Sequence, residues 1–109
     1  MDAVQEALTS VLKVPLWTTS IRLVVHEPQR FRAPPDKGDR YTLVTIDCFV
    51  GRSLETKRAL YQAIVQKLGL CGIPADHVKV LLREASRENW AIRGGLPASD
   101  VVLEYDVDI

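Results

Sequence analysis

An excess of charge of one sign, cysteine and long apolar runs are all scarce in this sequence, and each scarcity removes a class of function. Fourteen basic residues balance fourteen acidic ones, so no global field draws the chain to nucleic acid or to an anionic membrane. Neither partner is expected. Cys48 and Cys71 are the only cysteines. They form no CxxC pair, and no stretch reads as a signal peptide, so both are expected to be buried thiols of a cytoplasmic protein. Unbroken apolar runs reach only a few residues, far short of the ~20 that span a bilayer. His26 has no Cys, His or Asp nearby at metal-ligand spacing and reads as a solvated histidine; His77 reads as a turn residue. Neither a metal nor a cofactor is called for.

What is present is enough for one core. A chain of 109 residues, 47% hydrophobic, falls near the commonest size of a single domain. Val4, Ala7, Leu8, Val11 and Leu12 recur at the spacing of one helical face from the very start. Ile21 to His26 is rich in β-branched residues and reads as a strand. Phe31 to Arg40, with two prolines, a glycine and five charges, reads as an exposed connection. Tyr41 to Val50 alternates as a strand, with Val44, Ile46, Cys48 and Val50 on one face and Thr45, Asp47 and Phe49 on the other. Ser53 can cap the helix that follows, whose buried stripe is Leu60, Ala63, Ile64 and Leu68 and which runs to about Gly69. Gly72 and Pro74 mark a turn into a strand with inner face Val78, Val80 and Leu82. Val101 to Ile109 alternates again and reads as an edge or intersubunit strand.

The two halves repeat. Ile21-Arg22-Leu23-Val24-Val25 matches Val78-Lys79-Val80-Leu81-Leu82 in hydrophobic phase and in its second, basic residue, and Glu27 matches Glu84. Ala3, Val4 and Leu8 fall opposite Ala63, Ile64 and Leu68. Only the strand Thr42 to Val50 lacks a counterpart; by the helix alignment it would start roughly twenty residues upstream of the first unit's helix. A parallel strand pair needs a crossover helix between its members, and the first helix has nothing to cross from. Either this start lies within a longer coding sequence, or the chain is a naturally shortened relative.

These pieces together resemble the tautomerase superfamily, of the 4-oxalocrotonate tautomerase-like kind with a fused double strand-helix-strand unit. Gly51-Arg52-Ser53 followed by Glu55 and Lys57 is similar to that family's strand-to-helix turn. Glu88-Asn89-Trp90-Ala91-Ile92-Arg93-Gly94-Gly95 is similar to its segment after the second strand, where an aromatic precedes a glycine hairpin. The resemblance implies an α+β fold, with two helices on one face of a four-stranded mixed sheet and the first strand missing here. Residues 1–109 would be a single domain, with 1–33 the truncated first half-repeat and 41–109 the second half-repeat and its C-terminal strand. It also implies a homotrimer.

The function implied is keto-enol isomerisation of a small 2-oxo carboxylate, with an amino-terminal proline as base. An amino-terminal amine has an unperturbed pKa of about 8, which nearby cations and an apolar wall lower. Arginines hold the carboxylate through their planar fork of donors. Carried over, Arg52 falls at the family's turn arginine, Arg22 and Lys79 at the basic position of the later strand of each unit, and Trp90 at the aromatic wall. Lys79 stands where an arginine is frequent and offers a point charge instead of a clamp. The second unit's proline position reads Thr42, the first unit's would lie before Met1, and the amide nitrogens of Pro15 and Pro28 have no basicity. No general base is therefore present, and activity is expected to be impaired. The alternative is a non-catalytic trimeric anion-binding or scaffold protein. The decarboxylating branch adds an Asp after the first helix; here that stretch reads Leu16-Trp17-Thr18-Thr19, which gives decarboxylation no support.

Plainer readings stand beside each of these. Arg52 can pack its stem against the helix start, although a cation there opposes the dipole. Arg22 and Lys79 can be exposed strand residues paired with acids. Trp90 can be a packing anchor, Cys48 an inert thiol on the core face, and Arg93-Gly94-Gly95 a hairpin turn.

Overall fold

The computed structural model describes all 109 residues, Met1–Ile109. Alternation and helical spacing produce the second unit as expected. Strand β1 (Thr42–Phe49) leads through a turn into helix α2 (Leu54–Leu70), and strand β2 (Val78–Ala85) returns parallel to β1 in the register Thr42↔Val78 to Phe49↔Ala85. Ser53 caps α2, its hydroxyl accepting the Thr56 N–H at 3.2 Å, which satisfies one of the donors a helix start leaves free. The far end closes on Gly72, at φ +92°. Gly72 N–H donates to the Gly69 carbonyl and Ile73 N–H to that of Leu68, both near 3.0–3.1 Å, a paired closure that needs a left-handed residue after the helix.

Helix α1 (Asp2–Ala7) continues into a wider π turn, Leu8–Leu12, and stops at Lys13, which is left-handed at φ 59°. Its stripe buries Ala7, Leu8 and Leu12 against Leu60, Ile64 and Leu68 of α2 and against Ile46 of β1, with Val4, Val11, Val44, Val78, Val80 and Leu82 around them. Both helices therefore cover the same face of the β1–β2 pair. Leu60 and Ile64 are fully enclosed. No helix is long and apolar enough to cross a membrane.

Four expectations are corrected. Residues Ile21 to His26 are extended but belong to no sheet, and Leu23, Val24 and Val25 are 67%, 58% and 83% exposed, because no strand lies beside them to complete a ladder. The four-stranded sheet is consequently two separate pairs, β1–β2 and the hairpin of β3 (Ala91–Ile92) with β4 (Leu96–Pro97). The tail Val101–Ile109 forms no strand either. Its alternation is nonetheless visible in burial: Val101, Leu103, Tyr105 and Val107 turn inward, and Val107 joins Phe49 and Ala98 in a second small core. Side-chain burial holds the tail, not backbone pairing, and it also covers Phe49 on the face of β1 away from the helices. Finally, Cys71 is exposed and only Cys48 is partly buried, since Cys71 falls one residue past α2 where the stripe has ended.

The connection Phe31 to Arg40 is tied to the turn before β2. Arg40 Nη1 donates to the Gly72 carbonyl at 2.9 Å, Gly38 N–H to His77 Nε2 at 3.1 Å, and Lys37 Nζ to Asp76 at 3.3 Å. His77 is thus a turn residue, at the end of the short helix Ala75–His77, but one whose ring accepts a bond. His26 is exposed and stacks on Phe31 with ring centres 5.3 Å apart.

Candidate functional site

The turn from β1 to α2 decides where a cation can be buried. Gly51, at φ +138°, reverses the chain so closely that a Cβ there would sit 2.6 Å from the Val107 carbonyl oxygen; only glycine fits without displacing the tail. The next side chain, Arg52, folds back under the strand it follows. It is 6% exposed, and its Nη1 donates to the Phe49 carbonyl at 3.0 Å. Its Nε is buried with no acceptor, and none of the protein's ion pairs involves it. A guanidinium almost removed from water and left without a carboxylate is costly, because its field is poorly screened there. The surface-arginine reading therefore fails on burial.

What surrounds Arg52 is aromatic. The Tyr105 ring lies 5.9 Å from the guanidinium carbon, within cation–π range. Trp90 meets Phe49 edge to face, with centroids 5.0 Å apart at 70°, and is held in place where its carbonyl accepts the Ala98 N–H at 2.9 Å. Trp90 thus has the packing role its size suggested. Burial pushes both the Cys48 thiol and the Tyr105 phenol above their ordinary pKa values, with the nearby Arg52 charge opposing the rise in each. Both stay protonated at neutral pH, so neither is a ready base, and the inert reading of Cys48 fits.

A cleft of about 1800 Å³ opens beside β1, and Arg52, Arg22 and Trp90 all line it together with Tyr105 and Arg93. Lys79 does not. It is exposed on β2, on the face with Leu81 and Arg83. Arg83 is occupied by Asp47 through a two-pronged contact at 2.9 and 3.0 Å, as their paired register requires. Arg93, in the left-handed region at φ 49°, begins the hairpin turn that continues through Gly94 and Gly95 and stands 3.8 Å from Glu104. No cluster of three or more His, Cys, Asp or Glu side chains is placed to hold a metal ion.

Sequence reasoning brought Arg52, Arg22 and Trp90 to one cleft but overlooked Tyr105. The alternation of the tail already put Tyr105 inward; nothing in the sequence said that the residue it would meet was Arg52.

A family model described as "Tautomerase enzyme" matches residues 19–93, a span that includes Arg22, Arg52, Lys79 and Trp90 and stops short of Tyr105. Among solved structures, malonate semialdehyde decarboxylase is 25% identical with a TM-score of 0.79, over 93% of this chain and 84% of that one. A fused 4-OT protein, described as a symmetric trimer, is 25% identical with a TM-score of 0.81, over 90% of this chain and 80% of that one. A member of the cis-3-chloroacrylic acid dehalogenase family shares the fold at 19% identity and a TM-score of 0.66, over 91% of this chain and 73% of that one.

Proposed function

The chain belongs to the tautomerase family, and from that premise we propose that it is a tautomerase-like isomerase that moves a proton between the enol and keto forms of a small 2-oxo carboxylate. One observation carries the reading: the buried Arg52 guanidinium, which lacks a carboxylate of its own. A substrate carboxylate entering the cleft would supply the missing countercharge, and the fork of donors would fix its orientation. Trp90 would wall the apolar part of the substrate. Arg22 lines the same cleft, while Lys79 would act only where a neighbouring copy brings its face to the site. A homotrimer is the assembly proposed, by likeness to the fused 4-OT trimer.

Ketonisation requires a base to take the enol hydroxyl proton and an acid to deliver a proton to the adjacent carbon. A positioned amine contributes about 10²–10⁴-fold to such a step. Of the titratable groups beside Arg52, the Cys48 thiol and the Tyr105 phenol are pushed above their ordinary values and are poor bases at neutral pH, so the base of the proposed reaction is an amino-terminal proline amine, as likeness to the family implies. Malonate semialdehyde decarboxylase has been solved both as the wild type and with its own first residue, a proline, replaced by alanine.

That neither the Cys48 thiol nor the Tyr105 phenol is a ready base also favours the second reading, a trimeric anion-binding or scaffold protein without catalysis. Ketonisation of an aromatic enolpyruvate separates the two, measured with this chain and with a version extended to begin at a proline followed by a strand. Turnover confined to the extended version supports the isomerase; equal turnover in both refutes the proline mechanism; silence in both, with carboxylate binding retained, favours the scaffold.

A further inference from the structure

Tyr105 lies beyond the span that the family model matches, yet its side chain carries a polar group that the fold does not use. The residue is half-buried, packs against both hydrophobic cores and lines the cleft. No hydrogen bond within the protein involves its phenol. Burial raises that phenol above its ordinary pKa, so it keeps its proton through the neutral range and is a ready donor. The packing fixes the ring, and the hydroxyl is left for something that enters the cleft.

The guanidinium beside it is only partly used. Arg52 Nη1 is bonded to the Phe49 carbonyl at 3.0 Å, which leaves Nε and Nη2, the side-on edge of the plane, without a partner. That edge takes the two oxygens of a carboxylate in parallel. A 2-oxo carboxylate, or its enol, has a third oxygen on the adjacent carbon, and an oxygen desolvated in the cleft without a donor would cost about 1–3 kcal/mol. The centre of the Tyr105 ring is 5.9 Å from the guanidinium carbon, so a neutral donor stands beside the cation. Charge then meets the carboxylate, and a hydroxyl meets the uncharged oxygen.

We propose that Tyr105 is a specificity-determining residue of the cleft: with a carboxylate on the free edge of Arg52, its hydroxyl donates to the oxygen on the adjacent carbon and selects 2-oxo acids over plain carboxylates of the same size. The assignment rests on the reading of Arg52 as the holder of a carboxylate, and it adds a ligand-reading group supplied by the tail. A site that spends a donor on one oxygen discriminates against the analogue that lacks it, because the donor then goes unpaired. Trp90 is the rival, since its indole N–H is also unbonded within the protein, but its ring is engaged edge to face with Phe49.

The test is calorimetric binding of phenylpyruvate and of phenylpropanoate, which share ring and carboxylate and differ in the oxygen on the adjacent carbon, to the full chain and to Tyr105→Phe. Phenylalanine keeps the ring, its packing and its face toward Arg52, and removes only the hydroxyl. The wild type should hold phenylpyruvate about three- to tenfold more tightly, the worth of one hydrogen bond. In Tyr105→Phe that preference should fall to about twofold or less, with phenylpropanoate binding unchanged within the same margin. Equal binding of the two acids by the wild type, a preference kept by the variant, or a weakening of both acids alike overturns the assignment. Loss of the preference in Trp90→Phe and not in Tyr105→Phe gives the role to Trp90. If the wild type binds neither acid, the carboxylate reading of Arg52 fails and the assignment falls with it, a result distinct from binding without selectivity. Should Tyr105→Phe fail to fold, the carbon-13 resonance of the Tyr105 Cζ in the wild type decides: a shift with phenylpyruvate alone is expected, and the same shift with both acids overturns the proposal.

Discussion

The guanidinium of Arg52 lies 5.9 Å from the centre of the Tyr105 ring, so a residue of the β1–α2 turn and a residue of the tail form one wall of the cleft. The contact brings together positions more than fifty residues apart. It gives the buried cation an aromatic face but no countercharge.

Replacing Arg52 by Met should separate binding from stability. The variant loses an ion held in a poorly solvated place and keeps most of the apolar stem, so unfolding in urea is expected to show no loss, or a gain of about 1 kcal/mol. Binding of a small carboxylate, followed by calorimetry, should weaken by about tenfold or more. A loss of stability above about 2 kcal/mol would mean that Arg52 serves chiefly as a structural bond to Phe49.

Gly51→Ala tests the tail's close approach. The added Cβ would meet the Val107 carbonyl oxygen at 2.6 Å and must adopt φ +138°, a combination expected to cost about 1–3 kcal/mol. Because the clash is with backbone, the tail should lift away. Faster exchange at Leu103 to Val107 together with a lower urea midpoint is the expected result, and unchanged exchange there would show that the turn, not the tail, absorbs the strain.

The contacts of Asp76 predict an acid-sensitive latch on the Phe31–Arg40 connection. Hydrogen bonds from His77 and from Lys37, with the Lys37 charge, hold the Asp76 carboxyl below its usual value of 3.8. A carboxyl whose folded pKa is depressed contributes stability that is present above its unfolded value and lost as pH falls through the folded one. The wild type should therefore lose stability on acidification below about pH 4 more steeply than Asp76→Asn, which has no such proton to take up. Urea midpoints at pH 3 and pH 6 check this, and parallel slopes in the two proteins would remove Asp76 from the acid response.

The elements of the second unit were legible in the sequence because their cues are local. Ser53 caps where its hydroxyl reaches Thr56, Leu60, Ile64 and Leu68 share a stripe at any helix spacing, and the alternation of Val44, Ile46 and Cys48 needs only a pleated strand. The left-handed Gly72 and the hairpin at Arg93-Gly94-Gly95 are of the same kind. Ile21 to His26 carried an equally good strand pattern and formed no ladder, since pairing depends on a neighbour that periodicity cannot supply.

Residue types and spacings by themselves determined the helices and the β1–β2 pair, because those follow from local preference and from the face each residue takes; the expectation that Arg52, Arg22 and Trp90 share one region came from the family resemblance. Tertiary structure alone decided that Arg52 is buried without a carboxylate, that Tyr105 covers it, that Lys79 does not line the cleft and that Cys71 is exposed. Each of those depends on which distant segment arrives at a given place, and that is settled by packing in three dimensions rather than by order along the chain.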